Sequence, residues 1–166
     1  MGTTYTVERT RTLEEPPERV RPLIEDFHAW PRWSPWEDLD PQLERRYSGP
    51  EAGVGARYAW SGNRRAGRGD MEITGSAPER VDVRLTFEKP MRSTNQVAFE
   101  LRPAGPEQTE VTWRMTGTTR GPMALFSRVV SMDRMIGGDF EKGLERLDRA
   151  AAAPQPAGGS ASSASS

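Results

Sequence analysis

The chain has 166 residues, a formal net charge of -1 and 34% hydrophobic residues, enough for one domain with a substantial core. It has no cysteine and a single histidine, which excludes disulfides, thiolate metal sites and a thiol nucleophile, and leaves no histidine set for a metal centre. There is no run of 18 apolar residues, no N-terminal secretory pattern and, at pI ≈ 6.0, no basic stripe, so the expectation is a cytoplasmic protein without integral membrane association or a nucleic-acid partner.

From the N-terminus, Tyr5, Val7, Arg9, Arg11 and Leu13 share one face of a predicted first strand. Unbroken pairing would turn both arginines inward, whereas a β-bulge, favoured by the rarity of buried arginine, would turn them to solvent. Pro16 and Pro17 open a helix, where a missing N–H costs nothing, and Val20, Leu23, Ile24 and Phe27 take the spacing of one buried face. Pro22 is expected to distort that helix in its first turn. Next, Trp30, Trp33 and Trp36 fall within seven residues punctuated by prolines, followed by the acidic Glu37, Asp38 and Asp40. The tryptophans suit either rigid packing or the wall of a cavity. The acids suit paired carboxylates or helix caps.

Leu43 to Ser48 reads as a short second strand. The Gly49–Gly55 turn lacks the Gly-Lys-Ser/Thr ending of a phosphate loop, and no helix is predicted after it. Five alternating segments follow. Their inward residues are Tyr58 and Trp60; Met71 and Ile73; Val81, Val83, Leu85 and Phe87; Val97, Phe99 and Leu101; and Val111, Trp113 and Met115. This is the pattern of antiparallel strands with one dry and one wet face. From Pro122 to Ala150 the apolar residues repeat at helical spacing, on the order of 40 Å of helix with a broad buried stripe. Residues 151–166 are almost entirely Ala, Pro, Gly and Ser and read as a disordered tail outside a 1–150 domain.

Some local patterns carry a resemblance. They are Trp30-x-x-Trp33-Ser34-Pro35-Trp36, Asp40-Pro41, Gly53-x-Gly55-Ala56-x-Tyr58-x-Trp60-x-Gly62-Asn63, Gly67-x-Gly69-x-Met71, Val111-Thr112-Trp113, and Met132-Asp133-x-Met135-x-Gly137-x-Asp139-Phe140-Glu141-x-Gly143-Leu144. Together with the element order, they resemble the SRPBCC (START / Bet v 1-like) superfamily, in its polyketide cyclase/dehydrase-like branch. The resemblance implies an α+β helix-grip fold: a seven-stranded curved antiparallel sheet wrapped on a long C-terminal helix, with two short helices after the first strand. It also implies an apolar cavity between sheet and helix. The residues expected to line it are Trp36, Tyr58, Trp60, Met71, Leu85, Phe87, Phe99, Trp113, Met115, Met132 and Ile136, with the alternative that they simply fill the core.

Polar candidates are few. Asp133 falls on the inner stripe of the long helix, where a buried carboxylate needs a partner such as Arg9, Arg11, Tyr58 or Trp60. It is either a paired core charge or a ligand anchor and acid/base. His28 beside Asp26 resembles an acid/base pair, although its position suits the end of a helix. Arg64, Arg65 and Arg68 crowd one hairpin and Arg92 the next. In related folds that hairpin sits near the cavity mouth, so they either steer an acidic headgroup or are solvated tips. Gly137-Gly138 in mid-helix costs roughly 1 kcal/mol per residue relative to alanine. A close approach by the sheet or a ligand, or a kink, would offset that. No nucleophile, metal or dinucleotide motif is present and no cofactor is implied. The sequence therefore favours binding or carrying a hydrophobic small molecule (a lipid, polyketide or aromatic metabolite). The alternatives are a polyketide cyclase/dehydratase-type enzyme with a cavity acid/base, and a regulatory partner that senses such a ligand.

Overall fold

Period-two alternation and hairpin turns do most of the construction. In the computed structural model, the backbone is described for residues 2–38, 40–63, 66–89, 93–120 and 126–153, and the side chains for these except 2, 3, 37, 38, 118–120 and 126–135. The element order is β1 (Gly2–Leu13), α1 (Pro17–Glu25), two short 3-10 helices (Phe27–Arg32 and Pro35–Asp38), β2 (Glu44–Ser48), β3 (Arg57–Ser61), β4 (Arg68–Ala77), β5 (Arg80–Lys89), β6 (Ser93–Gly105), β7 (Gln108–Arg120) and α2 (Phe126–Ala152). The strands form one seven-stranded antiparallel sheet in the order β1-β7-β6-β5-β4-β3-β2. Register shifts in the β4–β5 pairing, between Arg68 and Gly69 and between Ile73 and Gly75, are the bulges that add local twist and bend.

The β1–β7 pairing runs from Gly2↔Arg120 to Leu13↔Thr109 without a break. The expected bulge is absent, and Arg9 and Arg11 do face α2. They avoid an unpaired burial because β1 is an edge strand and α2 places acids opposite them. Arg9 Nε meets Glu141 at 2.9 Å and Arg11 Nε meets Asp148 at 3.5 Å. Gly137 makes room for this arrangement, since a Cβ there would collide with the Arg9 guanidinium.

The helix α1 continues through Pro22 and buries Val20, Leu23 and Ile24. Its last carbonyls have no partners within the helix. Two of the tryptophans supply them: Trp30 Nε1 donates to the Ile24 carbonyl at 2.9 Å and Trp33 Nε1 to the Leu23 carbonyl at 2.8 Å. The C-terminus of α2 is closed in a similar way by arginines. Arg19 donates to the carbonyls of Ala151 (3.1 Å) and Ala153 (3.0 Å), and Arg32 to that of Ala150 (3.3 Å). Cations at this end also complement the helix dipole. The long helix therefore extends two residues past the expected boundary, and Ala151, assigned to the tail from sequence, is fully buried.

On the outer face the strands carry a ladder of ion pairs. Arg114 bridges Glu8 (2.8 Å) and Glu100 (3.0 Å), Arg80 joins Glu100 to Asp82, and Arg57 and Arg84 share Glu72. Hydrogen bonding to Arg114 holds the Glu100 carboxyl below the usual carboxylate range despite some desolvation. At Glu72, desolvation opposes the shift, but the pull of Arg57 and Arg84 wins and its carboxyl is also lowered.

Candidate ligand cavity

One end of the inner face is solid. Trp30 and Trp33 interlock with Phe99 at right angles, with ring centroids 5.9 Å apart in both pairs, and Phe99 packs on Trp113 at 4.9 Å. Phe27, Trp33 and Phe99 are almost completely sealed from solvent. Beyond that end, the sheet, α2 and the Trp36 segment line a hollow of about 320 Å³. The strands supply Tyr58 and Trp60 from β3, Met71 from β4, Leu85 and Phe87 from β5, Val97 from β6, and Trp113 and Met115 from β7. The helix α2 supplies Ile136, Asp139 and Phe140. The 3-10 segment supplies Trp30, Ser34 and Trp36, and Leu43 and Ala66 close the remaining side.

Most of the expected lining residues thus meet around one space, for a simple reason: they occupy alternate positions on paired strands. Tyr58 faces Met71, Met71 faces Leu85, and Trp60 and Phe87 both pair with Gly69. Gly69 matters sterically, because a Cβ there would sit 2.7 Å from the Trp60 ring. Trp60 is held from the far side by an Nε1–H bond to the Ala66 carbonyl (2.8 Å), and its ring meets Phe87 edge-on at 5.6 Å. Trp113 and Phe140 stack in parallel at 4.1 Å, and Trp36 stands edge-on to both. Gly143 permits that stack, since its missing Cβ would fall 2.7 Å from Trp113.

Several expected residues lie elsewhere. Phe99 is in the solid part of the core and does not border the hollow. The side chains of Met132 and Asp133, and all of Arg64, Arg65 and Arg92, lie outside the described residues. Arg68 does not line the cavity. It is largely exposed and paired with Glu88 at 3.3 Å. His28 is also outside: its ring stacks on Tyr47 at 4.1 Å, and its Nδ1 lies 2.8 Å from Asp26. Asp40 has a local structural task. Its carboxylate accepts the backbone N–H groups of Gln42 and Asn63, both at 2.8 Å, tying the entry to β2 to the β3–β4 hairpin.

Two polar features escaped the sequence reading. Tyr5 and Asn95, both buried, hydrogen bond across the sheet over Gly117, and burial raises the Tyr5 hydroxyl's pKa. Asp139 lines the cavity and accepts from Trp36 Nε1 at 3.3 Å. The spacing of Ile136, Asp139, Phe140 and Gly143 on one helical face was the available signal for Asp139. Among the described residues, no group of three or more acidic or histidine side chains is placed to hold a metal ion, and no helix is long and apolar enough to cross a membrane.

A curved antiparallel sheet gripping a C-terminal helix over an apolar hollow defines the helix-grip class. The chain belongs to the family described as polyketide cyclase / dehydrase and lipid transport, which it matches over residues 4–152. No curated protein matches it in sequence. Among solved structures, it is similar to a protein from Chromobacterium violaceum (16% identity, TM-score 0.64, covering 90% of this chain and 98% of that one). It is also similar to a Rhizobium loti protein (22% identity, TM-score 0.59, covering 90% and 99%). A third is norcoclaurine synthase from Thalictrum flavum, solved with dopamine and hydroxybenzaldehyde (8% identity, TM-score 0.65, covering 89% and 86%). At these identities the likeness establishes the fold.

Proposed function

We propose that the protein binds or carries a hydrophobic small molecule, a lipid, polyketide or aromatic metabolite, in the hollow between the sheet and α2. The observation that carries this reading is the hollow itself: about 320 Å³, walled almost entirely by aromatic and aliphatic side chains. Its volume falls within the ~300–1,000 Å³ typical of small-molecule sites. Packed interiors leave few voids, and Trp36, Trp60, Leu85, Phe87 and Ile136 remain only half-buried beside this one. Covering that apolar surface with a ligand stabilises the complex by about 25 cal/mol per Å² removed from water. Met71 and Met115 in the wall suit a surface that adapts to the ligand's outline.

The test is mass spectrometry of small molecules retained through native purification of the wild type and of Leu85→Trp, whose larger side chain narrows the hollow. A defined apolar passenger on the wild type that is missing from the variant supports the proposal. A wild type that carries no passenger and binds no apolar probe overturns it.

A further inference from the structure

We propose that the ligand of this cavity is a cation, a hydrophobic amine whose protonated nitrogen sits against the Asp139 carboxylate. The proposal rests on the hydrophobic-ligand reading above and adds the charge of the ligand to it.

Asp139 is the only acidic or basic side chain among the described residues of the lining, set on α2 between Ile136 and Phe140 and half-buried. Among the described residues its one hydrogen bond comes from Trp36 Nε1, at 3.3 Å. An ionised carboxylate offers about four lone-pair sites, and its charge-assisted bonds are ordinarily about 2.7–2.9 Å long. Asp139 therefore retains acceptor capacity facing an apolar space. None of the ion pairs among the described residues includes it. On the same helix the acids Glu141, Glu145 and Asp148 are taken by Arg9, Arg149 and Arg11.

A neutral apolar ligand sliding over Asp139 would strip water from a carboxylate and give nothing back, and an anionic one would add repulsion. An ammonium group supplies both the countercharge and the donors. Trp36, edge-on to the Trp113–Phe140 stack, fixes the place of the carboxylate through its Nε1–H. The rest of the ligand has the walls of Trp60, Leu85 and Phe87 for its apolar body.

Three probes with one skeleton and different charge test this by titration calorimetry: phenylbutylamine, phenylbutanol and phenylbutyrate. The wild type is expected to bind the amine roughly tenfold or more tighter than the alcohol, the scale of one charge-assisted hydrogen bond, and the acid weakest of all. Asp139→Asn should bring the amine down to the alcohol's affinity while leaving the alcohol within about twofold. Asp139→Glu, which keeps the charge, should keep the preference and guards against a folding defect. Leu85→Trp, which narrows the hollow, should weaken binding of all three together. Equal binding of amine and alcohol by the wild type, or equal losses of both in Asp139→Asn, overturns the inference but leaves the hydrophobic-ligand reading standing. So does amine binding that Leu85→Trp leaves unchanged while it weakens the alcohol, which would place the amine outside the hollow. A wild type that binds none of the probes overturns both.

Discussion

The two ends of the inner sheet face are written in the same alternating code and end in opposite states. Against the end covered by α1, the first 3-10 helix and the C-terminal half of α2, Trp33, Phe99, Leu101, Val111, Leu144 and Leu147 are sealed almost completely. At the other end, Trp60, Leu85 and Phe87 are at least as large and apolar, yet they remain half-buried around open space. The strands do not make the difference. The cover does: three packed elements at one end, and α2 with the Trp36 segment at the other. An apolar strand face therefore prescribes burial against something, and which something is decided by elements far away in the chain.

The largest expected effect comes from emptying the solid end. Trp33→Ala removes a fully buried indole together with its bond to the Leu23 carbonyl, and should cost about 3–5 kcal/mol in denaturant unfolding. Phe87→Ala, at the open end, should cost about 1–2 kcal/mol, because Phe87 is already half-exposed and little new cavity is made. Equal losses from the two would erase the distinction between the ends. Next in size is Gly143→Ala. Its Cβ would press on Trp113 at 2.7 Å and on Pro35 at 3.1 Å, where the two ends meet. An overpacking loss of about 1–3 kcal/mol is expected, with disturbance of the Trp113–Phe140 stack seen in near-ultraviolet circular dichroism.

How much of this the sequence displayed follows the same divide. Strand faces, hairpins and the long helix repeat a local period, so Tyr58, Trp60, Met71, Leu85, Phe87, Trp113 and Met115 could be placed facing inward before any coordinates. What periodicity cannot express is contact between distant elements. Nothing local shows that the Trp30 and Trp33 indoles close the end of α1, or that Glu141 and Asp148 receive Arg9 and Arg11. Inward-facing Phe99 was grouped with the cavity residues because facing inward is legible and facing a void is not. For Asp139 the helical spacing with Ile136, Phe140 and Gly143 is legible, but spacing does not say which acid of the helix is left facing the hollow. What sets it apart from Glu141 and Asp148 is that, among the described residues, no arginine pairs with it.

On the outer face the two ends behave alike towards acid. Glu100 lies behind the solid end and Glu72 behind the hollow one, and both carboxyls are held below their ordinary value by arginines. A carboxyl made more acidic by folding stabilises fully above the unfolded value of ~4.3 and loses that contribution as pH falls through the lower, folded value. Arg114→Gln should therefore lower stability modestly at neutral pH and flatten the stability–pH curve below ~4.3, as read from unfolding midpoints at stepped pH. A variant curve parallel to the wild type throughout would remove Glu100 from the account of acid sensitivity.

The smallest effect has the opposite sign. Gly137 and Gly138 are adjacent in α2 and carry the same intrinsic penalty, but their surroundings differ. Gly137 is buried beneath Arg9, which a Cβ would strike, whereas Gly138 is exposed with nothing within 4 Å of where its Cβ would stand. Neither has a positive φ. Alanine at 138 loses less backbone freedom on folding and meets no neighbour, so Gly138→Ala should stabilise the protein by about 0.5–1 kcal/mol. Gly137→Ala must displace the Arg9 guanidinium from its bond to Glu141, which offsets that gain, and should leave stability within about 0.5 kcal/mol of the wild type. Thermal unfolding of the two variants side by side is sufficient. If both stabilise, Arg9 yields freely and its packing on α2 does not constrain the helix. If both destabilise, the second glycine serves something other than the room it leaves, and the view of α2 as a cover shaped only where the sheet touches it would have to be abandoned.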